Sequence, residues 1–279
     1  MPIIEDDARD ILAKAAKGTQ LEPESLAAKS ALSIATVLAA VGKNAYPKMR
    51  DIPDAAWTAL AKATGLNATA LLDIARDRYR PDVTLPGNLA QIITRHKHME
   101  VNAWILGNPI TREALLIDTG GDARPILGYL ARNRWQATTL LLTHDHADHI
   151  AGLPELRAAM PHLEVFSPVL DHVQGTRELR PGMTLDAAGF SICCLSTAGH
   201  TDGGLSYFIA DHQPPICFVG DALFAGSIGG ARFCYQTALH DLRQNILNLP
   251  ETTLLCSGHG PLTTLALESL HNPFLVTIL

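Results

Sequence analysis

This chain has few cysteines, and their spacing does not indicate a disulfide framework or a zinc site. The 279 residues include five cysteines, an odd number, and no two of them are spaced as Cys-x-x-Cys. This usage excludes a disulfide-stabilised scaffold and a structural zinc knuckle, because both need paired or regularly spaced thiols. Free cysteine is among the most frequently buried residue types, so we expect the five to be small core residues.

An excess of positive charge and long apolar runs are also missing. The formal net charge is -6, so we expect no basic face for nucleic acid or for an anionic membrane surface. No segment approaches the ~20 apolar residues of a membrane-spanning helix, and the first residues lack the basic and apolar stretches of a signal peptide. These absences predict a cytoplasmic protein that acts on small molecules, without a nucleic-acid or membrane partner.

The spacing of apolar residues divides the chain into two regions. Up to about residue 80, apolar residues recur at helical spacing, and capping residues or glycine stand at each break. This pattern predicts a small all-α domain over residues 1–80, in which Ile34, Val37, Leu38 and Val41 share one face of the third helix. The five expected helices cover residues 7–17, 23–29, 34–41 after the cap Ser33, 54–64, and a segment after the cap Asn67.

Prolines at positions 81 and 86 interrupt the helical pattern, and short β-rich runs alternate with helical runs beyond them. Alternation of this kind is typical of a layered α/β domain, which we place at residues 85–279. The expected strands cover residues 91–94, 102–106, 114–118, 138–142, 163–166, 190–196, 205–210, 216–219 and 253–256, with helices over 123–133 and 237–248.

Four candidate metal ligands lie within six residues, directly after a predicted apolar strand. They are His144, His146, Asp148 and His149. Imidazole and carboxylate groups gathered in one place are costly to bury unless something satisfies them, and a metal ion does so. Residues two apart on an extended segment share a face, so His144 and His146 could bind one ion while the following turn directs Asp148 and His149 to a second.

Three further candidates stand at the carboxyl ends of later predicted strands. His200, Asp221 and His259 each follow a glycine, at the position where open α/β sheets place their functional sites. A lone histidine or aspartate there is more often a loop-capping group. Three of them in order behind a His-x-His-x-Asp-His segment favour a metal centre with seven ligands.

Taken together, these segments resemble the metallo-β-lactamase superfamily, and within it the glyoxalase II-like (hydroxyacylglutathione hydrolase-like) branch. The resemblance runs from about residue 85 to the C-terminus and includes Ile-Asp-Thr-Gly-Gly at 117–121 and Ser-Gly-His-Gly-Pro at 257–261. It implies an α/β fold, a four-layer αβ/βα sandwich whose site lies along one edge of both sheets.

The resemblance also implies a dinuclear metal site with assigned ligands. One ion would be held by His144, His146 and His200 and the other by Asp148, His149 and His259, with Asp221 bridging. Two divalent cations at such a site activate a bridging hydroxide that attacks an ester or thioester carbonyl. Asp148 is the family's partner for the bridging water, so Asp148 and Asp221 are the expected catalytic residues. Zinc is the default for this donor set, and iron and manganese also suit it.

The chain departs from glyoxalase II proper in its expected substrate contacts. Glyoxalase II carries a C-terminal helical extension with basic residues that hold glutathione, whereas this chain ends soon after Asn272-Pro273-Phe274. Many relatives have an arginine after Gly-Ser-Ile-Gly, where Gly230 stands here. Arg232 and Tyr235 are therefore the candidate substrate contacts, and we expect a small acyl-thiol or ester as substrate.

Two alternative functions remain open at this stage. Persulfide dioxygenases share the His-x-His-Ala-Asp-His segment and use one iron bound by the equivalents of His144, His200 and Asp221. The first 78 residues also resemble a Cro/repressor-type helix-turn-helix domain, which would make the protein a DNA-binding regulator. The third helix is apolar rather than basic, which favours packing on the catalytic domain or on a second subunit of a homo-oligomer.

Overall fold

The computed structural model describes residues 4–42 and 48–276 of the chain. The first three residues, which belong to the segment examined for a signal peptide, lie outside this part. Within the described residues no single helix is long and apolar enough to cross a membrane. The helices over Pro23–Ser30 and Ile34–Val41 reach that length and apolarity only as a pair, and they are bent by 115° at their break.

Within the described residues, the first region contains five α-helices, and two of them start after the predicted caps Ser33 and Asn67. The Asp7 carboxylate accepts hydrogen bonds from two backbone N–H groups of the first turn, and the Ser33 hydroxyl and the Asn67 amide oxygen each accept one. Such caps satisfy N–H groups that have no partner inside a helix. The helices are α1 (Ala8–Gly18), α2 (Pro23–Ser30), α3 (Ile34–Val41), α4 (Asp54–Thr64) and α5 (Ala68–Ala75), with a 3₁₀ turn at Met49–Asp51.

The second region, as described up to residue 276, contains two six-stranded sheets and a small hairpin. The first sheet has the order β1-β2-β3-β4-β5-β6 and the second the order β14-β13-β10-β9-β8-β7, while β11 pairs with β12. The strands of the first sheet are β1 (Leu89–His96), β2 (Met99–Gly107), β3 (Glu113–Ile117), β4 (Gln136–Leu141), β5 (Glu164–Pro168) and β6 (Arg177–Leu179). The others are β7 (Thr184–Ala187), β8 (Phe190–Ser196), β9 (Leu205–Ile209), β10 (Ile216–Gly220), β11 (Leu223–Phe224), β12 (Ser227–Ile228), β13 (Leu254–Ser257) and β14 (Thr263–Thr264).

Helices cover the outer faces of both sheets. Ile126 of α6 (Arg124–Asn133) and Leu156 of α8 (Leu153–Ala159) are buried in one hydrophobic core with the first sheet. Between the sheets, Trp104 of β2 and Phe218 of β10 lie with ring centroids 6.4 Å apart in a second core. The fold is therefore the predicted four-layer sandwich. Its helices are α6 (Arg124–Asn133), α7 (Ala147–Ile150), α8 (Leu153–Ala159), α9 (Tyr235–Asp241), which continues as a π-helical turn over Leu242–Ile246, and α10 (Leu265–His271).

The third core joins the N-terminal helices to the second sheet. Leu12 of α1 and Trp57 of α4 are fully buried in one cluster with Val219 of β10. Polar contacts reinforce this union, since the Asn67 backbone N–H donates to the carbonyl of Pro273 and the Tyr79 hydroxyl donates to Glu268. The helical region thus packs against the α/β region of its own chain. The prediction that the third helix provides this contact is not confirmed, because α3 packs chiefly on α1, α2 and α4. The division at residues 80–85 stays a prediction.

Three expectations about local structure need correction. The predicted buried face of α3 is partly wrong, because Ile34 and Leu38 are 40% and 51% exposed while Val37 and Ala40 are buried. Strands β6, β7, β11, β12 and β14 were not predicted, since they are short or alternate weakly in polarity. The expectation for cysteine holds in part, because three are buried and two are only partly buried. The buried ones are Cys194, Cys217 and Cys256, and the others are Cys193 and Cys234.

Candidate metal centre

Strand ends from both sheets bring the seven predicted ligands together. β4 delivers His144 and His146, and the short helix α7 carries Asp148 and His149. The remaining three follow strands of the second sheet, as the spacing of the sequence predicted. They are His200 in the loop after β8, Asp221 directly after β10 and His259 after β13.

The first group consists of three imidazoles and one carboxylate. Nδ1 of His146 lies 3.1 Å from Nε2 of His144 and 2.9 Å from Nε2 of His200. Nε2 of His200 lies 3.4 Å from Oδ2 of Asp221. All the ligand atoms of this group fall within 4.8 Å of one another. The four side chains are therefore close enough to bind one metal ion together.

The second group consists of Asp148, His149 and His259 and meets the first at Asp221. Nε2 of His259 lies 3.3 Å from Oδ2 of Asp148, and Nε2 of His149 lies 3.7 Å from the same oxygen. Asp221 faces both groups, because its Oδ1 is 3.2 Å from Nε2 of His149 while its Oδ2 faces His200. This is the position that a bridging carboxylate would need.

Hydrogen bonds at Nδ1 fix the orientation of three of the imidazole rings. His149 Nδ1 lies 2.8 Å from Oδ2 of Asp118, whose carboxylate also accepts from the Thr143 backbone N–H and hydroxyl. His200 Nδ1 donates to the carbonyl of Gly230 at 2.7 Å, and His259 Nδ1 donates to the carbonyl of Glu100 at 2.5 Å. With Nδ1 donating outwards, Nε2 of each ring is left to face a metal.

Asp118 is a supporting side chain whose role the sequence reasoning missed. It ends the predicted strand over residues 114–118 and belongs to the Ile-Asp-Thr-Gly-Gly segment quoted for the family resemblance. The family resemblance of this segment therefore pointed to Asp118 as a candidate site residue. Nothing in the sequence placed its carboxylate beneath His149, which lies 31 residues further along the chain.

Glycine is required where the backbone passes closest to the ligands. A Cβ at Gly258 would lie 2.3 Å from Oδ1 of Asp221 and 2.6 Å from Cε1 of His149. Gly220 has a φ of +48°, and a Cβ there would meet the Thr143 side chain at 2.6 Å. Both glycines let loops from different sheets approach within van der Waals distance at the ligands.

The charges of the site call for a bound cation. Burial alone would lower the pKa of His149, but the Asp221 and Asp118 carboxylates outweigh it and raise that pKa to about 10. Burial likewise opposes charge on His259, yet its contacts with Asp148 and Asp221 raise its pKa to about 11. The anionic carboxylates therefore draw positive charge into the pocket, and metal ions could supply it in place of protons.

Two orphaned atoms support the fit to metal. Nε2 of His149 and Oδ1 of Asp221 are buried and lie 3.2 Å apart, and within the part of the chain that the structure describes neither atom has a hydrogen bond of suitable geometry. Leaving such atoms unsatisfied costs about 1–3 kcal/mol each. A divalent cation between an imidazole nitrogen and a carboxylate oxygen would satisfy both, so the residues present fit the implied metals.

The two candidate substrate contacts lie beside the centre rather than in it. Arg232 and Tyr235 line a cavity of about 750 Å³ between α1 and the segment over residues 228–236. Burial lowers the pKa of His200, and the positive charge of Arg232 lowers it further. Tyr235 is partly buried, with its ring centroid 6.4 Å from that of Phe274. The structure thus places both side chains in a cavity next to the predicted ligands.

Comparison with known families agrees with this geometry. The chain belongs to the metallo-beta-lactamase superfamily, whose sequence profile matches residues 98–259. That match includes all seven candidate ligands. The match begins beyond the helical region, so the resemblance of that region to a helix-turn-helix domain stays a prediction.

Individual relatives point in the same direction. A hydroxyacylglutathione hydrolase of Edwardsiella ictaluri (strain 93-146) is 36% identical over 157 residues, which are 56% of this chain and 60% of that protein. The crystal structure of the BLEG-1 B3 metallo-beta-lactamase is 32% identical with a TM-score of 0.60, covering 68% of this chain and all of that one. The structure of ETHE1 from Myxococcus xanthus is 27% identical with a TM-score of 0.59, covering 66% of this chain and 83% of that one.

Proposed function

We propose that the protein is a dinuclear metal-dependent hydrolase that cleaves a small thioester, or an ester, without a protein nucleophile. The observation that carries the proposal is the complete second group of Asp148, His149 and His259 beside the first, with Asp221 facing both. The similarity to a hydroxyacylglutathione hydrolase supports a thioester as the substrate class. This chain spans only 60% of the length of that relative, so the substrate is part of the proposal.

The bound metals and the protein side chains would have separate roles in the reaction. When bound, two divalent ions, of which zinc suits a histidine-rich set best and iron or manganese also fit, would polarise the substrate carbonyl and lower the pKa of a water molecule. Asp221 would hold the two groups at a fixed separation. The Asp148 carboxylate, whose Oδ2 is anchored 3.3 Å from Nε2 of His259, would accept a proton from the attacking water. Asp118 would keep His149 oriented.

Alanine substitution at two ligands tests the proposal. His146→Ala and Asp221→Ala should each lower the metal content below two ions per chain and lower kcat/KM on thioesters by more than about 10³-fold. His162→Ala, at an exposed histidine outside the site, is the matched control and should leave metal content and turnover unchanged. Metal content is measured by mass spectrometry and turnover by thiol release. Hydrolysis that persists at the wild-type rate in both metal-depleted variants would refute the assignment.

A persulfide dioxygenase is the second candidate, because His144, His200 and Asp221 lie together in the first group. Such an enzyme needs one iron and no second group, whereas this chain has the second group complete. Oxygen uptake on glutathione persulfide with one iron per chain would favour the dioxygenase. Thioester hydrolysis without oxygen uptake would favour the hydrolase.

The DNA-binding alternative rests on the sequence resemblance of the helical region and stays a prediction. The exposed side chains of α3 include Ile34 and Leu38, and residues 34–41 contain no basic residue. Base edges and phosphates are read by polar and basic side chains. A gel-shift measurement with duplex DNA at low salt would decide this alternative, since salt-sensitive binding is its expected signature.

A further inference from the structure

The segment that leads into helix α1 lies against the loop that carries one of the candidate ligands. Gly260, the residue after His259, has a φ of +72°. A Cβ at this glycine would lie 3.2 Å from the backbone nitrogen of Glu5 and 3.3 Å from its Cβ. The loop after β13 therefore passes directly beside residue 5. The N-terminal region thus reaches the edge of the second metal group.

Contacts on both sides of Glu5 hold this segment in place. Ile4 packs against the hydrophobic core that joins the N-terminal helices to the second sheet. The buried Asp6 forms an ion pair with Lys14 of α1, and the Lys14 ammonium also donates to the carbonyl of Ile228 at 2.8 Å. Glu5 stands between these two anchored residues, so the fold fixes its position beside the centre.

The carboxyl group of Glu5 interacts electrostatically with the centre. Neighbouring protein atoms partly bury it and raise its pKa, the His259 ring lowers that pKa, and the Asp6 and Asp221 carboxylates raise it. Lys14, which is paired with Asp6, has the smallest effect of these charges. Such effects require short distances, because salt and water screen charges that lie far apart. Since the Glu5 side chain is also accessible to solvent, it adds a negative charge at an open edge of the centre.

We propose that Glu5 is a specificity-determining residue whose carboxylate favours substrates with a positively charged acyl group and disfavours substrates with a negatively charged one. The inference rests on the proposed thioesterase function, in which the acyl carbonyl lies at the metal centre and the acyl chain extends from it. The expected substrate class is therefore acyl-thiols whose acyl chain carries an ammonium group. The N-terminal region then takes part in substrate selection without supplying a metal ligand.

Three thioesters of N-acetylcysteamine test this charge preference. The β-alanyl group carries an ammonium, the butyryl group has a similar size and no charge, and the malonyl group carries a carboxylate. Glu5→Gln should lower kcat/KM for the β-alanyl thioester by about threefold and raise it for the malonyl thioester by about threefold, as expected for one charge interaction at a solvent-exposed site. The butyryl thioester should change less than either. Glu5→Lys should reverse the preference.

Variants at a second glutamate control for net charge. Glu24→Gln and Glu24→Lys make the same changes of charge at an exposed site on α2. They should hydrolyse all three thioesters as the wild type does. Equal shifts in the Glu5 and Glu24 variants would show that only the net charge matters and would overturn the inference. An unchanged preference in Glu5→Lys would overturn it as well.

Binding of unreactive amides separates this inference from the function on which it rests. The β-alanyl, butyryl and malonyl amides of N-acetylethylenediamine replace the thioester sulfur by nitrogen and resist hydrolysis. In calorimetry on the metal-loaded protein, Glu5→Gln should weaken binding of the β-alanyl amide by about threefold, and Glu24→Gln should not.

The binding and rate measurements have distinct outcomes. Charge-selective binding that depends on Glu5, without hydrolysis of any thioester, would refute the thioesterase and keep the role of Glu5. Hydrolysis with the same charge preference in the wild type and in both Glu5 variants would keep the thioesterase and overturn the role of Glu5. Neither binding nor hydrolysis would overturn both.

Discussion

Asp118 organises much of the second metal group from a single buried position. Its two carboxylate oxygens accept from the Thr143 backbone, the Thr143 hydroxyl and the His149 ring. Thr143 immediately precedes the first ligand, His144. A substitution at residue 118 should therefore affect the orientation of ligands in both metal groups without removing a ligand.

Asp118→Ala should weaken metal affinity by about 10- to 100-fold, because residues that orient a metal-binding histidine commonly contribute that much. Competition with a chromophoric chelator measures the affinity. Asp122→Ala is the control, since Asp122 lies on the same loop but contacts Arg124 at the surface. If both variants bound metal as tightly as the wild type, Asp118 would have no orienting role.

Glu268 is a fully buried carboxyl that joins three parts of the molecule. It accepts hydrogen bonds from Tyr79 after the N-terminal helices, from the Gly226 N–H between β11 and β12, and from Thr263 and Asn272 near the C-terminus. Burial raises its pKa above the ordinary value of 4.5, although these hydrogen bonds oppose the shift.

The raised pKa of Glu268 predicts a pH-dependent difference in stability. The folded protein binds this proton more tightly than the unfolded chain, so the stabilisation is complete below pH 4.5 and is lost as pH rises through the raised pKa. Glu268→Gln cannot titrate. The melting temperature of Glu268→Gln should therefore rise relative to that of the wild type as the pH increases above the ordinary carboxyl range. A difference in melting temperature that stays constant with pH would contradict the shift.

At the scale of elements, the end of α1 touches the start of α9 without space for a side chain. A Cβ at Gly18 would lie 2.3 Å from the Tyr235 ring. Gly18→Ala should therefore destabilise the fold by about 1–3 kcal/mol through overpacking, measured by urea unfolding. Gly87→Ala, where a Cβ would meet nothing within 4 Å, is the matched control and should be close to neutral. Equal stability of the two variants would show that α1 and α9 can separate freely.

Local signals in the sequence predicted most of the elements and failed where tertiary contacts decide. The caps at Ser33 and Asn67 predicted where α3 and α5 begin because capping is a local interaction. The buried face of α3 was only partly predictable. Every apolar residue of that short helix is a candidate for burial, and the packing of α1, α2 and α4 around it selects Val37 and Ala40 over Ile34 and Leu38.

At the scale of the whole molecule, the ligands were predictable and their supports were not. Ligand chemistry is visible in the sequence, because clustered histidines and aspartates are otherwise costly to bury. The supporting groups include Asp118 and the backbone carbonyls of Gly230 and Glu100. Every residue has a backbone carbonyl, so the residue type does not show which carbonyls support the ligands. The contribution of α1 to the cavity wall depends on how two regions pack, which local patterns do not specify.

The number of metal ions bound per chain tests the central claim most directly. Native mass spectrometry of the zinc-loaded protein should find two ions per chain. His259→Ala, which removes one ligand of the second group, should retain one ion because His144, His146, His200 and Asp221 remain. A wild-type chain that binds a single ion under saturating zinc, and loses none in the His259→Ala variant, would contradict a dinuclear centre.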